Sequence, residues 1–209
     1  SDGTIVAIGA PMPEGDGYVR VFQYSGNQWS QLGSTISGLN TMGWSLQLSG
    51  DGLILATGAP YSDPNGGSDA VGIVRVFEFI NNEWSQQGSD IAGEYDGDQS
   101  AKAIALSTDG KTLAISSDIF EGDENYKGRV KIYKYSGNTW SRLGSVLKGD
   151  AAGDWFGQSI DLNSDGTRIV IGAWGHDTNA PNAGQVKVFK LNALEWEQLG
   201  SDIFNFGGN

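Results

Sequence analysis

Carboxylates and aromatic side chains gathered in a few glycine-rich segments are the residues of this chain best suited to chemistry. Glu94, Asp96 and Asp98 fall in one short stretch, and Asp118, Glu121, Asp123 and Glu124 in another. Carboxylates so close in a loop suit a hard divalent cation, because calcium is held by carboxylate, backbone and water oxygens together. The plainer reading is solvated surface charge. Tyr61, Phe120, Tyr126, Trp155 and Trp174 lie in similar segments, beside Asp63, Asp69, His176 and Asp177. Flat aromatic faces next to hydrogen-bonding groups suit a sugar ring, with core packing as the ordinary alternative. These nine residues are the ligand-binding candidates. His176 is the single histidine. It reads as an exposed loop residue, and no Ser-His-Asp set can be assembled around it. No catalytic residue is assigned. Two carboxylates roughly 5–10 Å apart would serve glycoside hydrolysis, which keeps a polysaccharide-acting hydrolase or lyase as an alternative.

The formal charge of −12 argues against nucleic acid, since binding phosphates takes clustered Lys and Arg and only 13 are scattered here. A cation or a basic partner fits better. The absence of cysteine removes disulfides, thiolate metal sites and cysteine nucleophiles. No apolar run approaches the roughly 20 residues of a membrane helix, so no membrane insertion is expected. Phosphate-binding loops and His-Cys ligand sets are missing too, which disfavours nucleotide and zinc chemistry.

The elements that would position these loops repeat. WSQLGSTI at Trp29 returns as WSQQGSDI at Trp84, WSRLGSVL at Trp140 and WEQLGSDI at Trp196, at steps of 55, 56 and 56 residues. VRVFQY at Val19 recurs at Val74, Val130 and Val186. IVAIGAP at Ile5 recurs as ILATGAP, LAISSD and IVIGAW. Each unit resolves into four short strands, A to D. Asp51-Gly52, Asp109-Gly110 and Asp165-Gly166 make tight A–B turns, and Gly-Asn turns join C to D. Strands B and C are apolar on both faces, so both faces must be covered. The period and the absence of a place for a helix point to an all-β β-propeller of four-stranded antiparallel blades. A β-sandwich or a solenoid fits the period less well.

The units divide as 1–43, 44–100, 101–154 and 155–209. Residue 1 enters at an A–B turn, which leaves the array out of phase by one strand, with strand A of the first blade missing. The array is therefore expected to belong to a longer one, or to be closed by its own C-terminus or a second copy. The B–C loops and D–A connectors emerge on one face, where copies diverge and acids gather; the A–B and C–D turns on the other face barely vary. Divergence confined to one face of a fixed scaffold suits a binding surface, although loops also simply drift. The periodic tryptophans are expected to pack between blades.

FGQSIDLNSDGTRIVIGAW at Phe156 and WSLQLSGDGLILATGAP at Trp44 resemble the FG-GAP type of repeat, found in integrin α-subunit propellers and in many secreted or surface proteins of microbes. Phe156-Gly157 keeps the first motif; Gly9-Ala10-Pro11 and Gly58-Ala59-Pro60 keep the second. In the third unit both have drifted, to Ala101-Lys102 and Ser116-Ser117-Asp118. Calcium-binding members carry an aspartate-rich A–B loop, where this chain has only a turn such as Ser164-Asp165-Gly166-Thr167, so that calcium site is not carried over. The resemblance implies a non-catalytic extracellular or cell-surface module for adhesion or for binding a protein or glycan. No cofactor is expected other than a calcium ion in the acidic loops. The alternative is a structural subunit that self-associates through its open blade edge.

Overall fold

The computed structural model describes residues 3–12, 15–67, 69–117, 127–177 and 183–204. Every regular element among them is a strand, and no helix is long and apolar enough to cross a membrane. The first sheet holds β1 (Ile5–Ala10), β2 (Asp16–Ser25), β3 (Gln28–Gln31) and β4 (Ile36–Asn40). The second holds β5 (Ser45–Leu48), β6 (Ile54–Ala59), β7 (Ile73–Ile80), β8 (Glu83–Gln86) and β9 (Ile91–Ala92). The third holds β10 (Ile104–Leu106), β11 (Thr112–Ser117), β12 (Arg129–Ser136), β13 (Thr139–Arg142) and β14 (Leu147–Lys148). The fourth holds β15 (Phe156–Leu162), β16 (Arg168–Ala173), β17 (Gln185–Asn192), β18 (Glu195–Gln198) and β19 (Ile203–Phe204).

Sheets two to four share one ladder, A-B-C-D, antiparallel throughout, as in β5-β6-β7-β8 with β9 also on β7. Strand D is thus one edge strand in two halves. The break lies at the Gly-Ser step after the Trp motif, and one hydrogen bond, such as Leu143 N–H to the Ile132 carbonyl at 2.7 Å, carries the ladder into it. In the first sheet β1 is an edge, because no described residue forms an A strand beside it.

Local chemistry sets the turns. In the A–B turn the Asp51 carboxylate accepts from Ser49 Oγ (2.6 Å) and the Leu53 amide (3.0 Å), while Ser49 Oγ accepts from the Ile54 amide. Ser107, Asp109 and Lys111 repeat the arrangement. These aspartates are turn formers, and the Ser49 hydrogen bond holds the Asp51 carboxyl below its ordinary value.

The drift of the third unit is compensated. A Cβ on Gly58 would stand 2.2 Å from Ser45 Oγ, and one on Gly172 would stand 2.4 Å from Ser159 Oγ. The third blade has Ala103 just ahead of strand A and Ser116 on strand B, so the hydroxyl has moved to strand B; Ser116 Oγ accepts from the Ala103 amide at 2.9 Å. This register also aligns Ala101 with Gly43 and Gly157, all at positive φ (83°, 92° and 102°). The position corresponding to Phe156-Gly157 is therefore Ser100-Ala101, one residue earlier than the sequence suggests.

The sheets stack in chain order, with β1 on β5, β5 on β10 and β10 on β15. Three clusters of buried apolar residues fill the three gaps. Between sheets one and two lie Val19, Val21 and Ile36 against Leu55, Phe77 and Trp84. Strands B and C are apolar on both faces because each inner sheet serves two gaps at once. The periodic tryptophans lock them. Trp84, Trp140 and Trp196 donate from Nε1 to the carbonyls of Leu32, Gln87 and Leu143 in the preceding sheet, at 2.8, 3.0 and 3.0 Å.

Candidate functional site

Register places the start of strand A, the end of B, the start of C and the end of D at one end of every blade, as in Phe156 opposite Ala173 and Ile73 opposite Ala92. The B–C loops and D–A connectors therefore share that end, where the described candidate residues stand.

Two connectors are built alike. The Asp98 carboxylate, fully buried, accepts from the amides of Glu94 (2.7 Å) and Tyr95 (3.2 Å); the Asp154 carboxylate accepts from Asp150 (3.0 Å) and Ala151 (2.7 Å). Each aspartate closes the loop that a Gly-X-X-X-Gly-Asp run forms, at Gly93 to Asp98 and at Gly149 to Asp154. The next blade then supplies the counter-charge. Arg129 pairs with Asp98, and Lys131 lies 2.8 Å from Glu94. Lys187 Nζ lies 2.6 Å from both oxygens of Asp150. The hydrogen bond from Lys131 holds the Glu94 carboxyl below its ordinary value, against burial. Burial would raise the Asp150 carboxyl, but hydrogen bonds from Lys187 and Gln185 outweigh it and hold that group low as well.

This changes the reading of Glu94, Asp96 and Asp98 as calcium ligands. Arg129 and Lys131 already neutralise Glu94 and Asp98, and Asp96 stands exposed beside them. Asp150, Asp154 and His176 come close enough to share one ion. Even so, both oxygens of Asp150 face the Lys187 ammonium, and Asp154 serves two amides and the histidine, so the donors fit a structural network better than a metal. Asp118, Glu121, Asp123 and Glu124 lie outside the described residues, as do Phe120 and Tyr126.

His176 is 7% exposed and not an open loop residue. Its Nδ1 is 2.9 Å from Asp154 Oδ1, and its ring stacks on Phe204 at 5.8 Å between centroids. It ties the fourth B–C loop to the connector, helped by Gly175 N–H to the Asp154 carbonyl at 3.2 Å. Asp63 accepts from the Asn65 amide and shapes its own turn. Asp69 and Asp177 are exposed.

The aromatic candidates assemble into two groups. Trp174, 54% exposed, stacks on half-buried Trp155 with centroids 6.1 Å apart and planes 18° apart. Tyr61 meets Trp44 edge to face at 5.4 Å, and Lys102 Nζ lies 4.4 Å from the Tyr61 ring centre and 5.1 Å from that of Trp44. Trp44 is 47% and Tyr61 38% exposed, and Pro11, Asn40 and Thr41 complete a hollow of about 140 Å³ beside them. Trp44 and Lys102 are not among the residues the sequence singled out; their loop-end position next to Tyr61 was the available signal.

Stacked four-stranded blades with one divergent, aromatic loop end define a β-propeller-type repeat array. Residues 145–189 match the family model of the FG-GAP repeat, and the array is FG-GAP-like. That segment runs from strand D of the third blade to strand C of the fourth. In fold the chain is similar to a hypothetical selenium-binding protein from Sulfolobus tokodaii (TM-score 0.61, 15% identity, 88% of this chain and 46% of that one). It is also similar to the β-propeller domain of the Trilobed protease from Pyrococcus furiosus, described as having an open velcro topology (0.54, 10%, 97% and 56%). A third similar structure is the acylaminoacyl peptidase of Pyrococcus horikoshii (0.53, 12%, 94% and 30%). The chain thus spans about half or less of each of these structures, which share its fold alone. No curated protein sequence matches it.

Proposed function

We propose that the chain is a non-catalytic binding module, working outside the cell or at its surface, that takes a glycan or protein ligand on its loop end. One observation carries this reading: Trp44, Tyr61, Tyr95 and Trp174, between 38% and 54% exposed, all stand in the loops of that end. Large aromatics left in water gain by covering a ligand, and their rigid faces lose little entropy on binding. Among the described residues Glu94, Asp98 and Asp150 are neutralised by the chain's own cations, and the proposed binding at the aromatic faces uses no calcium. The test is a glycan array and a pull-down with the chain and its Trp44→Ala/Trp174→Ala variant, each in calcium and in EDTA. The expected result is a ligand retained in EDTA and bound at least about tenfold more weakly by the variant, with thermal stability unchanged. A ligand indifferent to both substitutions would refute the aromatic site, and one lost in EDTA would refute its calcium independence.

A further inference from the structure

The three gaps between blades are built to one plan, and the chain's two outer faces are its separated halves. In each gap the later blade inserts its tryptophan, and the earlier blade receives it with a carbonyl and a glycine. A Cβ on Gly33, Gly88 or Gly144 would meet the rings of Trp84, Trp140 or Trp196 at 2.8, 2.9 and 2.8 Å. Around this contact the earlier blade buries Ile36, Ile91 or Leu147, at 6%, 8% and 6% exposure. The later blade buries Leu55, Leu113 or Ile169, at 0%, 0% and 1%.

At the first blade the inserting half has no receiver among the described residues: Trp29 is 50% exposed, with Val6 at 38% and Ile8 at 54%. At the fourth blade the receiving half has no insert among the described residues. Leu199, Ile203 and Val170 are 44%, 57% and 38% exposed, and a Cβ on Gly200 would meet nothing within 4 Å. An open groove of about 550 Å³, lined by Gly172, Trp174, Val186, Ile203 and Phe204, continues that face inward.

We propose that a second copy of this chain docks head to tail on these faces. Trp29 of one copy lies over Gly200 of the other, its Nε1 donating to the Leu199 carbonyl, while Val6 and Ile8 cover Ile203, Val186 and Val188. Gln28 then stands against Ser201, as Glu83 stands against Ser34, whose Oγ donates to it at 2.6 Å. The contact is heterologous, so two or more copies form a closed ring or an open row. Each copy carries a formal charge of −12, so added salt should strengthen the association.

Sedimentation and light scattering of the 209-residue chain over a wide concentration range test this, together with Trp29→Ala and Ile203→Asp. Both substitutions fall on exposed side chains, and a cooperative urea-unfolding transition would verify folding. The expected result is self-association of the parent and at least about tenfold weaker association of each variant. Mixing the two variants should restore a heterodimer, since one keeps the receiving face and the other keeps the inserting face. A parent that stays monomeric at every concentration would overturn the proposal, as would variants that associate like the parent or a mixture that restores nothing.

Discussion

Trp84 and Trp29 occupy the same place in the same strand, after the same kind of turn, and each packs on its own blade's aromatic ring at 5.2 Å. Trp84 is 9% exposed and Trp29 is 50% exposed. The difference comes from the neighbouring blade, because the local sequence around them is nearly identical. A repeat array has no single core. Each interface is a separate store of stability, and an identical residue is worth several kcal/mol inside an interface and little at an end.

Substitutions sharpen that contrast, and the largest effect belongs to the filled gaps. Trp196→Ala and Phe156→Ala should each cost about 3–5 kcal/mol in urea unfolding, as buried aromatics do. Trp29→Ala, studied below the concentration at which the chain associates, should cost less than about 1 kcal/mol. Equal losses for Trp29 and Trp196 would show that the first and last blades are packed against something in the isolated chain.

Gly128 and Gly184 give a second matched pair, at equivalent positions before strand C with φ of 77° and 81°. Alanine is strained at either, by roughly 1–2 kcal/mol. At Gly128 a Cβ would also stand 2.1 Å from the carbonyl of Phe156, which opens strand A of the next blade, whereas at Gly184 the nearest atom is 3.8 Å away. Gly128→Ala should therefore be worse by about another 1–3 kcal/mol, read as a lower denaturation midpoint.

The smallest effect is electrostatic. The hydrogen bond from Arg75, 2.8 Å away, holds the Asp90 carboxyl below its ordinary 3.8, and Asp150 is held low by Lys187 and Gln185 against burial. A carboxyl whose folded pKa is depressed adds stability that is complete above its unfolded pKa and is lost as pH falls through the folded value. Melting temperature should therefore be flat with respect to these groups down to about pH 4 and fall below it. Asp90→Asn should melt slightly lower at neutral pH, and the gap from the parent should close in acid.

Much of the fold was legible in the sequence because its determinants are local and repeated. The Trp-Ser-Gln-Leu-Gly beat, the Asp-Gly turns and the two-sided apolar strands fix the blades and their order. The loop end was legible as a place, from topology, but its wiring was not. Asp98 meets Arg129 and Asp154 meets His176 across 31 and 22 residues, so Asp98 read as an open cation ligand and the histidine as exposed. The recurring Gly-X-X-X-Gly-Asp run was the one sequence signal that these aspartates close loops. The hydroxyl exchange between Ser45 and Ser116 was hidden likewise, since it shows only when strands A and B are set in register.

The most direct measurement exploits a chain without cysteine. Gln28→Cys and Ser201→Cys, made together, place one thiol on each outer face, and oxidation followed by non-reducing electrophoresis reports which faces meet. The expected product is a disulfide between chains, formed much faster than in a control with Gln28→Cys and a cysteine at exposed Asn82. A disulfide within one chain would instead show four blades closing on themselves, and a rate equal to the control would show that the faces do not meet. Either result would contradict the pairing of one copy's open end with another's.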